Sequence, residues 1–238
     1  MVRKRMHNKA KSKKTNRAIK TARAVARLVK GASRQMPMDI GYRTSGFSKP
    51  VEKKVLDNVL PNTTLFPAVT VATGLINLLN GISQGDDINQ RDGRKFKMDY
   101  LFYRLNVSNQ ATTGAEAENY RLVIVYDRQP NNVIATSANI FTPDQFSGLV
   151  NLDNRARFLI LHDMMFRITR SGVASQFNTF FKKKKINLKG LEVVNSGTGN
   201  TIGSISSGAL LVCTYRTTGT TTTNLSGECA FRLRWKEI

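Results

Sequence analysis

The sequence predicts an all-β sandwich or jelly roll that follows a basic N-terminal arm. From about Thr64 onward, apolar and polar residues alternate with a period of two, which indicates strands with one buried face. The segments between these runs, such as "SNQATTGAE" and "TTGTTTTNLSG", are rich in Gly, Ser, Thr and Asn, which are typical of turns. Strands at fairly regular spacing, joined by such loops and with little helical pattern, are typical of this fold class.

The length and composition allow one large β domain and a tail. The chain has 238 residues, of which 40% are hydrophobic, and this is enough for a substantial core. We predict a basic arm at 1–38, a linker at 39–63 and a β domain at 64–238. No run of about 18 consecutive apolar residues is present, so we expect no membrane-spanning helix. The N-terminus also lacks the apolar segment of a secretory signal.

The positive charge is concentrated at the N-terminus. The formal net charge is +21, and 13 of the first 35 residues are Lys or Arg while none is Asp or Glu. The remaining residues carry 24 basic side chains (37 − 13) and 16 acidic ones, a net charge of +8. A block of like charges repels itself and commonly serves as an interaction tail. The expected partner is a polyanion, with nucleic acid ahead of an anionic membrane surface.

The arm divides into two stretches of different character. "VRKRMHNKAKSKK" has low hydrophobicity and high charge, so we expect it to be disordered when free. "NRAIKTARAVARLVKG" consists mainly of good helix formers, with Thr15 or Asn16 as N-cap and Gly31 just past the end. Such an arm suits neutralisation of phosphates, and "RKR" and "KSKK" also suit a nuclear import receptor. A solvated tail without a specific role is the simpler alternative. The predicted nucleic-acid-binding residues of the arm are Arg3, Lys4, Arg5, Lys9, Lys11, Lys13, Lys14, Arg17, Lys20, Arg23, Arg27, Lys30 and Arg34.

The strands of the body follow from alternation and β-branched or aromatic content. In "ECAFRLRWKE", Cys229, Phe231, Leu233 and Trp235 take one face, and the residues between them take the other. An additional strand is expected near 191–195 or 201–204, and a short helical turn near "TPDQFSGL". The other predicted strands are 73–82, 94–107, 119–127, 156–168, 179–189, 208–216 and 227–236.

Several segments of the body resemble one protein family. "GISQGDDINQRDGRKFKMDYLFYRLNV" is similar to a segment of the capsid proteins of small circular single-stranded DNA viruses, the circovirus-like group, in which an "NQR.GRK" run leads into a strand. "RLVIVYDRQPN", "RFLILHDMMF" and "FFKKKKINLKGLEVV" resemble later strands of that family, in the same order. The resemblance covers about Gly74 to Ile238. The matching residues of the first segment are Asn89, Gln90, Arg91, Gly93, Arg94 and Lys95.

The resemblance implies a fold, an assembly and a location. The fold is a single eight-stranded jelly roll with two packed four-stranded antiparallel sheets, in which the predicted strands carry the letters B (73–82) to I (227–236). Copies of the chain form a small icosahedral shell of about 60 subunits, with the arm inside on a single-stranded genome, for which DNA is favoured over RNA. The implied locations are the virion and the host nucleus, and the implied partners include a nuclear import receptor and a cell-surface receptor.

Two basic stretches lie within predicted strands. The run Lys182, Lys183, Lys184 and Lys185 cannot enter a core as a whole, so its strand must protrude or lie at a sheet edge. Genome or interface contact and protection of the edge against unwanted pairing are equally good interpretations. The face that carries Arg232, Arg234 and Lys236 is a second basic stripe, which either contacts nucleic acid or is simply solvated.

We expect no catalytic site and no cofactor. His162 adjoins Asp163, but adjacent strand residues point to opposite faces and therefore make a poor dyad. Neither a phosphate-binding G-x-x-x-x-G-K-[ST] loop nor paired CxxC motifs occur. Cys213 and Cys229 are interpreted as buried thiols in strands of opposite sheets, although sheets packed about 10 Å apart leave a disulfide open.

Two other classes of function are compatible with parts of the sequence. The main rival is a cellular nucleic-acid-binding protein, of ribosomal or chromatin type, with a basic tail; its body would more commonly be small and α/β. The third possible class of protein is a β-sandwich lectin or hydrolase. The sequence shows no cluster of metal-ligating or catalytic residues that would support this class. The pairs Asp86 with Asp87 and Glu116 with Glu118 are either divalent-cation ligands between subunits or solvated loop charge, and the second interpretation is favoured.

Overall fold

The structure is a computed structural model that describes residues 53–66, 73–109, 117–169, 178–217 and 225–238. The predicted arm with its disordered stretch, its helix and its basic residues from Arg3 to Arg34 lies outside the described residues, as does Glu116. Within the described ranges, no helix is long and apolar enough to cross a membrane.

The described part of the chain is built mainly from strands. Two short α-helices are α1 (Asn62–Leu65) and α2 (Ser137–Ile140), and 3₁₀ turns occupy Leu152–Asn154 and Ile202–Ser204. The strands are β1 (Lys53–Pro61), β2 (Leu75–Leu78), β3 (Lys95–Asn109), β4 (Ala117–Asp127), β5 (Phe141–Thr142), β6 (Leu149–Val150), β7 (Phe158–Thr169), β8 (Asn178–Asn195), β9 (Ile205–Ser207), β10 (Ala209–Arg216) and β11 (Leu225–Glu237).

Two antiparallel sheets form a jelly roll. The first has the strand order β1-β11-β3-β8-β9 and the second the order β2-β10-β4-β7, while β5 and β6 form a separate two-stranded ribbon. If β1, β2, β3, β4, β7, β8, β10 and β11 are lettered B to I, the sheets read B-I-D-G and C-H-E-F, which is the jelly-roll order. Short β9 adds a fifth strand to the first sheet. The predicted fold class is therefore confirmed.

The lettering predicted from the sequence is wrong by one strand. Strand B is β1, which lies within the segment predicted as linker and pairs along its whole length with β11. Its alternation is hidden because Lys54, on the inward side opposite Trp235, is buried and contacts Asp92. The predicted letters B to F therefore each move on by one, to C to G, whereas H (208–216) and I (227–236) are correct. The strand expected near 191–195 is the end of β8, and 201–204 includes a 3₁₀ turn that precedes β9.

The main core lies between the two sheets. Inward side chains of β4, including Tyr120 and Ile124, face those of β3 and β11, including Trp235, and all are fully buried. Rings from the two sheets meet directly, because Phe166 of β7 stacks on Phe180 of β8 with a centroid distance of 4.4 Å. Such aromatic packing contributes to stability where the edge strands of the two sheets approach each other.

A second core lies on the other side of the four-stranded sheet. The segment between β4 and β7, which we call the covering segment (residues 128–157), packs Phe141 against Tyr215 of β10 at 5.8 Å. Because both faces are covered, β10 is buried over almost its whole length. Helical turns are present near "TPDQFSGL", as predicted: α2 ends just before it, and the 3₁₀ turn at Leu152–Asn154 follows it.

Arg121 anchors the covering segment. Its guanidinium group donates to Asp163 at 3.0 and 2.6 Å and to the carbonyl oxygens of Phe146 and Gly148 at 2.9 and 2.8 Å. It also lies 4.6 Å from the ring centroid of Phe141. The Arg121 side chain is buried, while the Asp163 carboxylate remains partly exposed, so these charge-assisted hydrogen bonds tie the covering segment to the sheet.

Replacing Arg121 with Leu is expected to lower the free energy of unfolding by about 3 kcal/mol, because it leaves two carbonyl oxygens and a carboxylate without their donor. Urea unfolding followed by tryptophan fluorescence measures the change. The matched control is Arg155→Leu, since Arg155 is exposed, and this change should stay within about 0.5 kcal/mol. Equal effects of the two substitutions would contradict the anchoring role.

The two cysteines are buried, free and directed to different sides. Cys229 is on the inward face of β11, whereas Cys213 pairs in register with Val123 and shares the face of Arg121 and Tyr215, under the covering segment. Burial raises the pKa of the Cys213 thiol to about 12. The interpretation as buried thiols is confirmed, and the disulfide left open by the sequence does not form.

Candidate nucleic-acid interface

The outward side of the five-stranded sheet carries a cluster of basic side chains. Since strand residues alternate between faces, the inward positions of Phe231, Leu233 and Trp235 place the arginines of β11 outward. The covering segment packs on the other sheet, so this side has no second layer among the described residues. We call it the basic face, and its basic residues are Lys97, Arg104, Lys183, Lys185, Arg232, Arg234 and Lys236.

Two hollows are present on the basic face. The larger is an open groove of about 900 Å³, lined by Lys97, Lys185, Lys189 and Lys236 together with Tyr100. The smaller hollow, of about 200 Å³, is lined by residues that include Phe102, Arg104 and Arg232. Both hollows therefore combine cations with an aromatic ring, which is the combination that binds single-stranded nucleic acid.

A bulge in β8 shapes the larger groove. Met98 pairs with Leu191 and Tyr100 pairs with Asn187, so three residues of β8 lie opposite Asp99 alone. Lys189 and Gly190 adopt φ values of 52° and 73° there, and the Lys189 N–H donates to the Asn187 side chain at 2.9 Å. Bulges commonly redirect side chains near functional sites, and this one brings Lys189 to the groove.

Cations lie over the aromatic rings of this face. The Lys185 Nζ atom is 4.0 Å from the ring centroid of Tyr100, and the guanidinium carbon of Arg104 is 5.6 Å from the centroid of Phe102. Both rings are half-buried on their outward side. These contacts hold the cations above flat apolar surfaces, where a phosphate and a base can be bound together.

Acidic side chains neutralise part of the basic face. Arg232 forms a bidentate ion pair with Asp57 at 2.6 Å for each bond, and this pairing lowers the pKa of Asp57. Lys236 lies 3.1 Å from Asp99. Among the described residues, no ion pair includes Lys97, Arg104, Lys183, Lys185 or Arg234, so most of the positive charge of the basic face is uncompensated.

The basic residues predicted in strands fall into two groups. Lys183, Lys185, Arg232 and Arg234 share the basic face, whereas Lys182 and Lys184 point to the opposite side, at the opening between the sheets. The predicted edge position is confirmed, because this part of β8 pairs only with β3 within the described residues.

Lys97, Arg104 and Lys189 were not predicted from the sequence. Alternation along β3 would place Lys97 and Arg104 on opposite faces, but the bulge at Asp99 changes the parity and brings them to the same one. A glycine inside a strand pattern, as at Gly190, is the signal that could have indicated the bulge.

The described residues contain no group of three or more His, Cys, Asp or Glu that could hold a metal ion. Asp86 and Asp87 are exposed in the loop before β3, and the description does not extend to the Glu118 side chain. The Asp163 side chain contacts Arg121 on one face of β7, whereas His162 contacts Tyr103 on the other face. Adjacent residues of a strand point to opposite faces, so the two side chains do not form a dyad. The basic face, with its largely uncompensated cations, suits electrostatic binding of an anionic partner.

Comparison with known proteins gives one family match. The model of the "Geminivirus coat protein/nuclear export factor BR1 family" matches residues 3–235. No curated protein matches significantly.

Similar solved structures include three from viruses. That of tomato aspermy virus is 15% identical with a TM-score of 0.34, and the alignment covers 91% of this chain and 95% of that one. That of desmodium yellow mottle tymovirus is 14% identical with a TM-score of 0.31 and coverages of 85% and 95%. The 60-mer BFDV capsid protein is 6% identical with a TM-score of 0.28 and coverages of 79% and 92%.

Proposed function

The chain belongs to the Geminivirus coat protein/nuclear export factor BR1 family, and from this membership we propose that it is a capsid protein whose copies form a small icosahedral shell around single-stranded DNA. The observation that carries the proposal is the extent of the match, which includes both the basic arm and the jelly roll. Family and fold point to a structural protein rather than an enzyme. DNA is preferred to RNA because the family is one of geminiviruses.

The proposed mechanism of packaging is charge neutralisation. Each chain carries a formal charge of +21, so a shell of about 60 copies would contribute roughly 60 × 21, or about 1,260, positive charges. Since each nucleotide carries one phosphate, this charge balances on the order of one to two kilobases of single strand. The arm supplies 13 of the 21 charges of each chain, and its basic residues from Arg3 to Arg34 are the proposed main contacts.

The basic face is the proposed second contact with the genome. It is the outward side of a sheet that no other described element covers, and its hollows place lysines beside Tyr100 and arginines beside Phe102. Stacking of bases on aromatic rings tolerates any sequence, as packaging of a whole genome requires. The ion pair of Arg232 with Asp57 fixes the arginine in place, and Lys183 and Lys185 lie nearby on the same face.

The location follows from the same proposal. The runs "RKR" and "KSKK" of the arm are the proposed signal for an import receptor, so that subunits reach the host nucleus, where a circular DNA genome is available. The assembled virion is the final location, and its outer loops are the proposed contact with a cell-surface receptor. No insertion into a membrane is proposed.

The proposal is tested by expressing the full chain and examining the purified protein by electron microscopy. Uniform shells roughly 20 nm wide, containing nucleic acid protected from added nuclease, are the expected result. Phenol extraction followed by separate deoxyribonuclease and ribonuclease digestion then identifies the nucleic acid packaged from a mixture of single-stranded DNA and RNA. Dispersed monomers under all ionic conditions would refute assembly, and shells without protected nucleic acid would refute packaging.

A further inference from the structure

His162 connects the edge strands of the two sheets. It lies on β7, at the edge of the four-stranded sheet, and its side chain points across the opening between the sheets. Its Nε2 atom is 3.0 Å from the hydroxyl oxygen of Tyr103 on β3, and its Nδ1 atom is 3.2 Å from the Nζ atom of Lys184 on β8. One imidazole therefore contacts two strands of the facing sheet.

The chemistry of the partners fixes the direction of each hydrogen bond. The Lys184 ammonium group can only donate, so Nδ1 of His162 must accept. Nε2 then carries the proton and donates to the Tyr103 oxygen, and the Tyr103 hydroxyl donates to the sulfur of Met164 at 3.7 Å. This chain of hydrogen bonds is possible only while the imidazole is neutral.

The charges around His162 are mainly positive. Lys184 and Lys182 approach it from β8, and Tyr103 on β3 stays neutral because burial raises the pKa of its hydroxyl to about 12. The neighbouring carboxylate of Asp163 lies on its own strand and is held on the far side by Arg121. A proton on His162 would thus place a second cation beside Lys184 with no anion in contact.

We propose that His162 is a pH-sensitive clasp between β7 and β8, closed while the imidazole is neutral and opened when the imidazole takes up a proton. A protonated Nδ1 cannot accept from Lys184, so the bridge is replaced by repulsion between two cations about 3 Å apart. Acid therefore loosens this end of the sandwich, where Phe166 and Phe180 hold the remaining contact. The clasp acts within one chain and does not depend on the proposed packaging function.

The direction of the pH dependence follows from linkage. Burial lowers the pKa of His162 below its usual value of 6.5, and Lys184 lowers it further. The unfolded chain therefore binds a proton more readily than the folded one, so the contribution of the clasp to stability is complete above about pH 6.5. That contribution is lost as the pH falls from 6.5 through the pKa of the folded chain.

The test is amide hydrogen exchange of the full chain at pH 7 and pH 5, corrected for intrinsic rates and read on β7 and β8. The expected result is that exchange accelerates at pH 5, by up to about 30-fold, because pH 5 lies about 1.5 units below the pKa of a histidine in the unfolded chain. The matched control is His162→Gln, in which a neutral amide can donate to Tyr103 at both pH values. Its corrected exchange should not change with pH.

A second measurement follows the imidazole itself. The chain has two histidines, so in a His7→Gln background the remaining imidazole NMR signal belongs to His162. Its pKa should lie below 6.5 and should rise when Lys184 is replaced with Met. If the pKa is 6.5 or above, or does not respond to Lys184→Met, or if β7 and β8 exchange equally at both pH values, the clasp is refuted.

Discussion

Chains that lack residues 1–35 should fold normally and package no nucleic acid. The deletion removes 13 positive charges and no negative ones, while every described strand lies beyond the deleted residues. If each of the 13 cations contacts one phosphate of a single strand, the slope of log K against log[salt] falls by about 9 (13 × 0.7). Circular dichroism measures the fold, and nuclease protection of encapsidated DNA measures packaging.

The control is a chain of the same length in which the whole sequence of the arm is shuffled. Its 13 basic residues are kept, but the helical spacing of its apolar residues is lost. Because neutralisation depends on charge and not on base readout, this arm should still package DNA. A rearranged arm that binds DNA with the same salt slope but fails to package it would show that the helix predicted at 16–31, and not charge alone, is required. Normal packaging by the truncated chain would refute the role of the arm.

The double substitution Lys183→Gln and Lys185→Gln should weaken binding of the full chain to single-stranded DNA and lower the salt slope by about 1.4 (2 × 0.7). Both side chains lie on the basic face, and Lys185 also borders the larger groove beside Tyr100. Fluorescence anisotropy with a labelled oligothymidylate, measured at four or more salt concentrations, gives the slope and the affinity.

The same strand provides a matched control for this prediction. Lys182→Gln with Lys184→Gln removes the same charge from the same four residues, but these side chains point to the opposite side. The salt slope of the control should stay close to that of the unchanged protein. If both double substitutions lower the slope equally, binding depends on net charge alone and the basic face is not a distinct site.

Alternation predicted most of the fold because most strands keep apolar residues on their inward side. β4, β10 and β11 lie within a few residues of the predicted ranges for this reason. β1 could not be predicted because buried Lys54 occupies an inward position, and its contact with Asp92, 38 residues away, is a tertiary interaction. Once β1 was missed, β2, β3, β4, β7 and β8 took the letters B to F instead of C to G. The additional strand expected near 191–195 or 201–204 took the letter G, so β10 and β11 kept the right letters.

For the candidate site, the sequence could predict which basic residues of a single strand share a face, but not which strands lie side by side. The period of two correctly separated Lys183 and Lys185 from Lys182 and Lys184, and it placed Arg232 with Arg234. It could not place these pairs on the same face, since sheet order joins β8 to β11 only through β3. The bulge opposite Asp99 also reverses the alternation of β3, which a local pattern does not show.

The covering segment and the basic face are two different surfaces, and separate parts of the chain form them. The exposed apolar residues of the covering segment, such as Val133, Leu149 and Leu152, have exposed fractions of 67%, 76% and 69%. They are contributed by one connection between two strands, whereas the basic face is contributed by strands on the other sheet. Substitutions in that connection can therefore change the exposed apolar surface without disturbing the lysine-lined groove.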